Sequence, residues 1–278
     1  MLARNFKNKV FFKKNDDPGF SPARAERCLK SASQTIAPLV DSLLSILFPC
    51  TCRLCRKIVG ESALGVVCED CWNKVKAVED PFCAICGYPF VSKSVETGAL
   101  CGHCRHRFFA FDFARAYSPY NDPLKEIIHQ FKYCGHLSLA RPLGRHLQAV
   151  YHSFPESFRS DVIIPVPLHK TRERERGFNQ AAELARQLSR LTRLPVQSGW
   201  FVRTRPTKAQ AGLSRRQRRM NLKGAFQVSP CAQIANRDVL LLDDVFTTGA
   251  TLNECATILK RGGCRRVNVL TVARVTRD

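Results

Sequence analysis

The apolar positions of the chain fall into two regimes. Ile36, Leu39, Val40, Leu43, Leu44 and Leu47 recur at helical spacing and predict an amphipathic helix over 35–48. Its polar side lacks Lys and Arg, so a core-packing helix is expected rather than one lying on a membrane. Residues 50–104 show no sustained period and little that could form a core unaided. From about residue 111 a longer alternation begins. Helical patterns are expected at 123–133 and 137–151. The apolar run at 162–166, bounded by Asp161 and Pro167, reads as a buried strand. Asn179 is placed to cap a helix reaching about Leu191. A second strand is expected at 197–202 and a third at 239–242. A loop, a helix over 252–261, a Gly262-Gly263 stop and a strand at 267–272 follow. Strands alternating with helices predict an α/β fold, a parallel sheet flanked by helices.

Hydrophobic residues make up 45% of the 278 positions, which supports a true core and argues against general disorder. The expected organisation is a basic flexible tail over 1–34, the helix and a small cysteine-rich module over 35–110, and the α/β domain over 111–278. The most apolar stretch, 39–48, is about ten residues and carries Asp41, whereas a spanning helix needs ~20 apolar residues. It also lies behind a long polar stretch, unlike a signal-peptide core. No membrane span is expected, and the chain is expected to be cytoplasmic.

Cysteine changes the picture of the first module. Eight of the fourteen Cys fall in C-x-x-C pairs: Cys52/Cys55, Cys68/Cys71, Cys83/Cys86 and Cys101/Cys104. Cytosolic thiols are kept reduced, which argues against disulfides. A redox role is disfavoured because no thioredoxin-like βαβ surrounds the pairs. Zinc takes four thiolates as a tetrahedron, and two such pairs close one site. The spacing suits zinc ribbons with two ions: Cys52, Cys55, Cys68 and Cys71, then Cys83, Cys86, Cys101 and Cys104. Crossed pairing is the open alternative. A closed four-thiolate site is structural, and it would let this small module fold. His103 and His106 are expected at the surface. Cys28, Cys50, Cys134, Cys231, Cys255 and Cys264 are read as packing residues or free thiols.

The strongest chemical signal is VLLLDDVFTTGAT, 239–251. An apolar strand runs into Asp243 and Asp244, then into a Thr-Thr-Gly-Ala-Thr turn ahead of a helix. In an open parallel sheet that strand end faces the ligand crevice. Successive N–H groups and hydroxyls at a helix N-terminus cradle a phosphate. Carboxylates would repel the phosphate but accept hydrogen bonds from vicinal sugar hydroxyls. The expected ligand is therefore a sugar phosphate. An ordinary Thr-capped turn is the plainer reading, and the full pattern outweighs it. There is no G-x-x-x-x-G-K-[ST], so a nucleoside triphosphatase loop is not supported.

Residues 239–251 resemble the signature of type I phosphoribosyltransferases, which bind phosphoribosyl pyrophosphate (PRPP) with Mg²⁺. The segments IPVPLHKTRERERGFNQA (164–181) and TKAQAGLSRRQRRMNLKGAF (207–226), behind a cysteine-pair module, are similar to the ComF family of competence proteins. The likeness covers about 36–275. It implies a type I phosphoribosyltransferase-like domain preceded by a double zinc ribbon. It places the 5-phosphate loop on Thr247, Thr248, Gly249, Ala250 and Thr251, and the ribose acids on Asp243 and Asp244. It places the pyrophosphate loop on 165–177, with His169, Lys170, Arg172, Arg174 and Arg176, of which Arg176 and Lys170 are the chosen phosphoribosyl contacts. A solvated charge run is the plainer reading of that segment. The flexible catalytic loop falls on 203–223, making Lys208 a catalytic candidate with Asp243 and Asp244.

Net charge extends this reading. The chain carries +21, and 170–223 holds 15 Lys or Arg against three acids. One diphosphate does not need such an excess, which suits a long polyanion. ComF proteins are associated with uptake of single-stranded DNA in natural transformation. Arg172, Arg174, Arg215, Arg216, Arg218 and Arg219 are therefore the expected nucleic-acid contacts. The implied partners are single-stranded DNA, PRPP or a related sugar phosphate, and a DNA-uptake helicase or recombination protein. Neither a base-binding hood nor an N-terminal catalytic Cys is recognisable. The alternative function is an active phosphoribosyltransferase on an unidentified acceptor. A zinc-ribbon scaffold, the third reading, explains neither the acid pair nor the arginine surplus.

Overall fold

The computed structural model describes residues 51–59, 66–106, 109–206, 222 and 224–276. The tail, the helix expected at 35–48, Cys28, Cys50, Lys208, Arg215, Arg216, Arg218 and Arg219 lie outside them. In chain order the strands are β1 (Phe113–Pro119), β2 (Val162–Pro165), β3 (Phe201–Arg203), β4 (Phe226–Val228), β5 (Asp238–Phe246) and β6 (Arg266–Arg274). The helices are α1 (Glu69–Asn73), α2 (Gly102–His106), α3 (Leu124–Tyr133), α4 (Ala140–Ser153), α5 (Lys170–Arg176), α6 (Gln180–Thr192) and α7 (Ala250–Arg261).

Four strands form an all-parallel sheet in the order β1-β6-β5-β2. Central β5 is buried from Asp238 through Leu242. A strand covered on both faces carries a continuous apolar run, which Val239–Leu242 supplies. Asp238 opens the strand and binds Arg265 and Arg266, each at 2.7 Å. That carboxyl fixes the start of the β5–β6 register, which pairs Asp238 with Arg266 and Asp243 with Thr271. Asn179 caps α6 by accepting from Ala181 N–H (2.9 Å), as its position predicts. The buried stripes of α4 (Leu143, Leu147, Val150) and α6 (Leu184, Leu188) join one continuous core with the sheet.

Three elements differ from the expectation. Edge strand β1 went unseen because buried Arg115 and Ser118 interrupt its apolar run. The strand expected at 197–202 does not enter the sheet. Phe201–Arg203 pairs antiparallel with β4 in a separate two-stranded ribbon, leaving only a lone bridge from Val196 to Ile163. The helix expected at 137–151 begins as a 3₁₀ turn, Leu137–Leu139, before α4. Among the described residues no helix is long and apolar enough to cross a membrane.

Candidate functional site

Strand β5 runs to Phe246, past the end expected at 242, so Asp243 and Asp244 sit within the strand and not on a loop beyond it. Successive residues of a strand point to opposite faces. Asp244 is buried, and its carboxylate meets Lys132 Nζ of α3 at 2.6 Å. Burial opposes the charge on Lys132, yet the adjacent Asp244 holds the ammonium above its usual value. Asp243 Oδ1 accepts from Asp244 N–H (2.9 Å). Burial, reinforced by the Asp244 carboxylate, pushes the Asp243 carboxyl up to about 7. Two adjacent acids near the end of a buried strand, with one ammonium paired to Asp244, make a site that favours hydroxyl donors or a cation.

The turn follows directly. Thr247 is exposed, Thr248 Oγ1 accepts from Ala250 N–H (3.4 Å), and Ala250 opens α7, two residues earlier than expected. Gly249 has φ +75°, and a Cβ there would lie 2.4 Å from Phe246 Cε2. Only glycine fits, because both the dihedral and the ring exclude a side chain. Thr251 lies in the first turn of α7.

Beside the acid pair lies a cavity of about 710 Å³ lined by Lys132, Tyr133, His169, Arg172, Arg176 and Arg203, with Glu175 as its acid. The segment expected as a pyrophosphate loop is helical over Lys170–Arg176, and His169 Nδ1 caps it by accepting from Thr171 N–H (3.3 Å). The helix sorts the cations: Arg172 and Arg176, four apart, line the cavity, whereas Lys170 and Arg174 are exposed and do not. Arg176 donates to Gln180 Oε1 (2.9 Å) and to the Tyr133 hydroxyl (3.2 Å). The sequence reading missed Lys132, Tyr133 and Arg203. Lys132 had a signal: it falls four residues after buried Ile128 on the apolar stripe of α3, where a lone cation needs an anion.

The cysteines gather into two groups, Cys52, Cys55, Cys68 and Cys71, then Cys83, Cys86, Cys101 and Cys104, each with its sulfurs within 4.8 Å of one another. Cys52–Cys71, Cys55–Cys68 and Cys86–Cys101 sulfurs stand 3.9, 3.5 and 3.6 Å apart. A zinc tetrahedron with ~2.3 Å bonds puts its sulfurs ~3.8 Å apart, so both groups fit the ion. Leu54 and Cys68 N–H groups donate to Cys52 Sγ, each at 3.4 Å. Phe109 stacks on Phe111 at 4.5 Å and joins the second group's surroundings to the sheet. Cys255 and Cys264 are buried, and Cys134 and Cys231 exposed.

Comparison with known proteins finds matches to both the cysteine-rich and the α/β parts of the chain. Residues 43–108 match the double zinc ribbon domain and 174–278 the phosphoribosyl transferase domain. The chain is 33% identical over 227 residues to Competence protein F of Haemophilus influenzae, covering 80% of this chain and 96% of that protein. It is 32% identical over 229 residues to the DNA utilization protein YhgH of Escherichia coli K12, covering 81% and 97%. It is 29% identical over 216 residues to Competence protein ComFC of Bacillus subtilis, covering 75% and 84%.

Proposed function

The chain belongs to the ComF family of competence proteins, and from that premise we propose that it handles incoming single-stranded DNA in natural transformation while binding a phosphoribosyl ligand at the β5–α7 turn. The carrying observation is the juxtaposition at Lys132. Its ammonium pairs with Asp244, and the same residue lines the cationic cavity. A phosphoribosyl pyrophosphate spans those same two regions. Its diol meets the acids, its 5-phosphate the Thr247–Thr251 turn, and its diphosphate Arg172, Arg176 and Arg203. The acid pair offers the hard oxygen donors that Mg²⁺ takes, and the ion would arrive with the diphosphate and offset its charge.

The names of the relatives, two competence proteins and a DNA utilization protein, support the DNA half of this reading. So does the basic run over 170–223, which is more than one diphosphate requires. Two structural zinc ions, a cytoplasmic setting and a helicase or recombination protein as the next handler complete the proposal. The intact acid pair and turn also favour a second reading, transfer of the phosphoribosyl group to an acceptor. There the cations would stabilise departing pyrophosphate, with Lys208 as the loop candidate.

The deciding experiment is calorimetry of the purified chain with PRPP and Mg²⁺, with single-stranded DNA, and with both in competition. Binding of each alone supports the proposal. Absence of PRPP or ribose 5-phosphate binding removes the phosphoribosyl half and leaves the basic surface to carry the function. Pyrophosphate release on adding candidate acceptors separates the transferase reading.

A further inference from the structure

The two cysteine groups are seated differently. In the first, Cys55 is exposed and Cys68 partly so; in the second all four are buried. The second group rests on the sheet itself. Ala114 N–H donates to Ile85 O (2.8 Å), and the Arg115 guanidinium reaches Cys83 O (3.4 Å) and Ala84 O (3.1 Å). Gly87 turns the loop at φ +67°, and a Cβ there would lie 2.9 Å from Ala114 O. From the end of β6, Arg274 donates to Cys86 O (2.7 Å) and to Cys86 Sγ (3.2 Å). The same guanidinium lies 4.0 Å from the centre of the Phe246 ring. Phe246 ends β5, and its ring occupies the space a Gly249 side chain would need. A ligating sulfur, a guanidinium, a ring and the phosphate turn therefore touch in series.

Charge follows the same line. Four thiolates on one Zn²⁺ leave a dianionic cluster. Two buried guanidiniums, Arg115 and Arg274, bracket it. Buried charges persist where they are paired, so cluster and arginines hold one another in place. Among the described residues the first group has no such link to the turn. Its helix α1 contacts α4 through Trp72 and His146, with ring centres 5.5 Å apart.

We propose that Arg274 is a positioning residue: through Phe246 it couples the second cysteine cluster to the phosphate turn, which keeps its binding geometry only while Cys83, Cys86, Cys101 and Cys104 hold their ion. This rests on the phosphoribosyl reading of that turn. Arg274→Met keeps a side chain of similar reach and removes the donors. In the zinc-loaded full chain it retains both ions by elemental analysis, while PRPP affinity by calorimetry falls about tenfold or more. Arg274→Lys restores part of that loss. Cys55→Ser, in the first group, leaves affinity within about twofold of the parent. Parent-like PRPP binding by Arg274→Met overturns the inference, as does an equal loss in Cys55→Ser. Hydrogen exchange on the unaltered protein during stepwise chelation decides the matter without any variant. Protection of the 248–252 amides drops when the second ion leaves and not when the first does; unchanged protection with both ions gone overturns the coupling. That measurement uses no ligand, so absence of PRPP binding by the parent would count against the phosphoribosyl reading alone.

Discussion

At the residue scale, the acid pair is a place where the proposed function opposes stability. The Asp243 carboxyl has a folded value near 7 against an ordinary value of 3.8. Between about pH 4 and 7 the folded chain keeps a proton that the unfolded chain has shed, so stability falls as pH rises through that window. Asp243→Asn removes the cost. Its melting temperature should match the parent near pH 4 and exceed it above pH 7, by roughly 2–4 °C for each kcal/mol recovered. Equal melting temperatures at pH 8 would refute the buried-acid account. PRPP binding should be lost in the same variant, because the amide donates where the diol needs an acceptor. Lys132→Met acts the other way. It leaves buried Asp244 without its cation, a change of about 3–5 kcal/mol for a fully buried pair and less here, since 18% of the Lys132 side chain is exposed. Differential scanning calorimetry should show a lower melting point together with weaker ligand binding. At Gly249, even Ala meets the Phe246 ring. Overpacking of this kind costs about 1–3 kcal/mol, with backbone strain added, so Gly249→Ala should lower the melting point and abolish PRPP binding.

At the element scale, the cysteine pairs were readable because each C-x-x-C is a local turn whose two sulfurs converge whatever surrounds it. Elemental analysis of protein prepared without chelators should give two zinc ions per chain, and one or none would defeat the two-site account. Replacing Cys68 and Cys71 by Ser should remove one ion. It should also loosen α1, whose Trp72 is buried in the common core, and so lower the melting point while near-native sheet signal persists by circular dichroism. Helix α5 shows what spacing alone could not sort. In sequence its Lys and Arg form one basic run; as a helix, Arg172 and Arg176 line the cavity and Lys170 and Arg174 face solvent. Strand β1 shows the reverse case. Its buried Arg115 is matched by carbonyls of the zinc module, a partner that no local pattern reveals.

At the scale of the whole molecule, the +21 charge acts as a field more than as contacts. DNA binding should be steeply salt-dependent and nearly independent of sequence, since phosphate contacts release counterions and read no bases. Neutralising Arg215, Arg216, Arg218 and Arg219 together should reduce the slope of log affinity against log salt by about 3, given ~0.7 per single-strand phosphate contact. An unchanged slope, measured by fluorescence anisotropy from low to high salt, would place the DNA elsewhere. Because Arg172 and Arg176 line the cavity proposed to take the diphosphate, their paired neutralisation should weaken PRPP binding as well.

The sequence by itself determined the parallel α/β class, the paired cysteines, the acid-and-turn motif and the charge balance. Each is written in residues close together along the chain: a run of apolar positions, a two-residue gap, a strand that enters a glycine turn. Tertiary structure decided what those pieces touch. The ion pair of Lys132 with Asp244 spans 112 positions, and the Arg274 bond to Cys86 spans 188. Both cations are held by anions or carbonyls that only the closed sheet brings near. Burial then did what composition could not: it set Asp243 near neutrality and turned half of one basic helix into a cavity wall. Long-range desolvation and charge pairing are properties of the packed molecule, and no period along the chain encodes them.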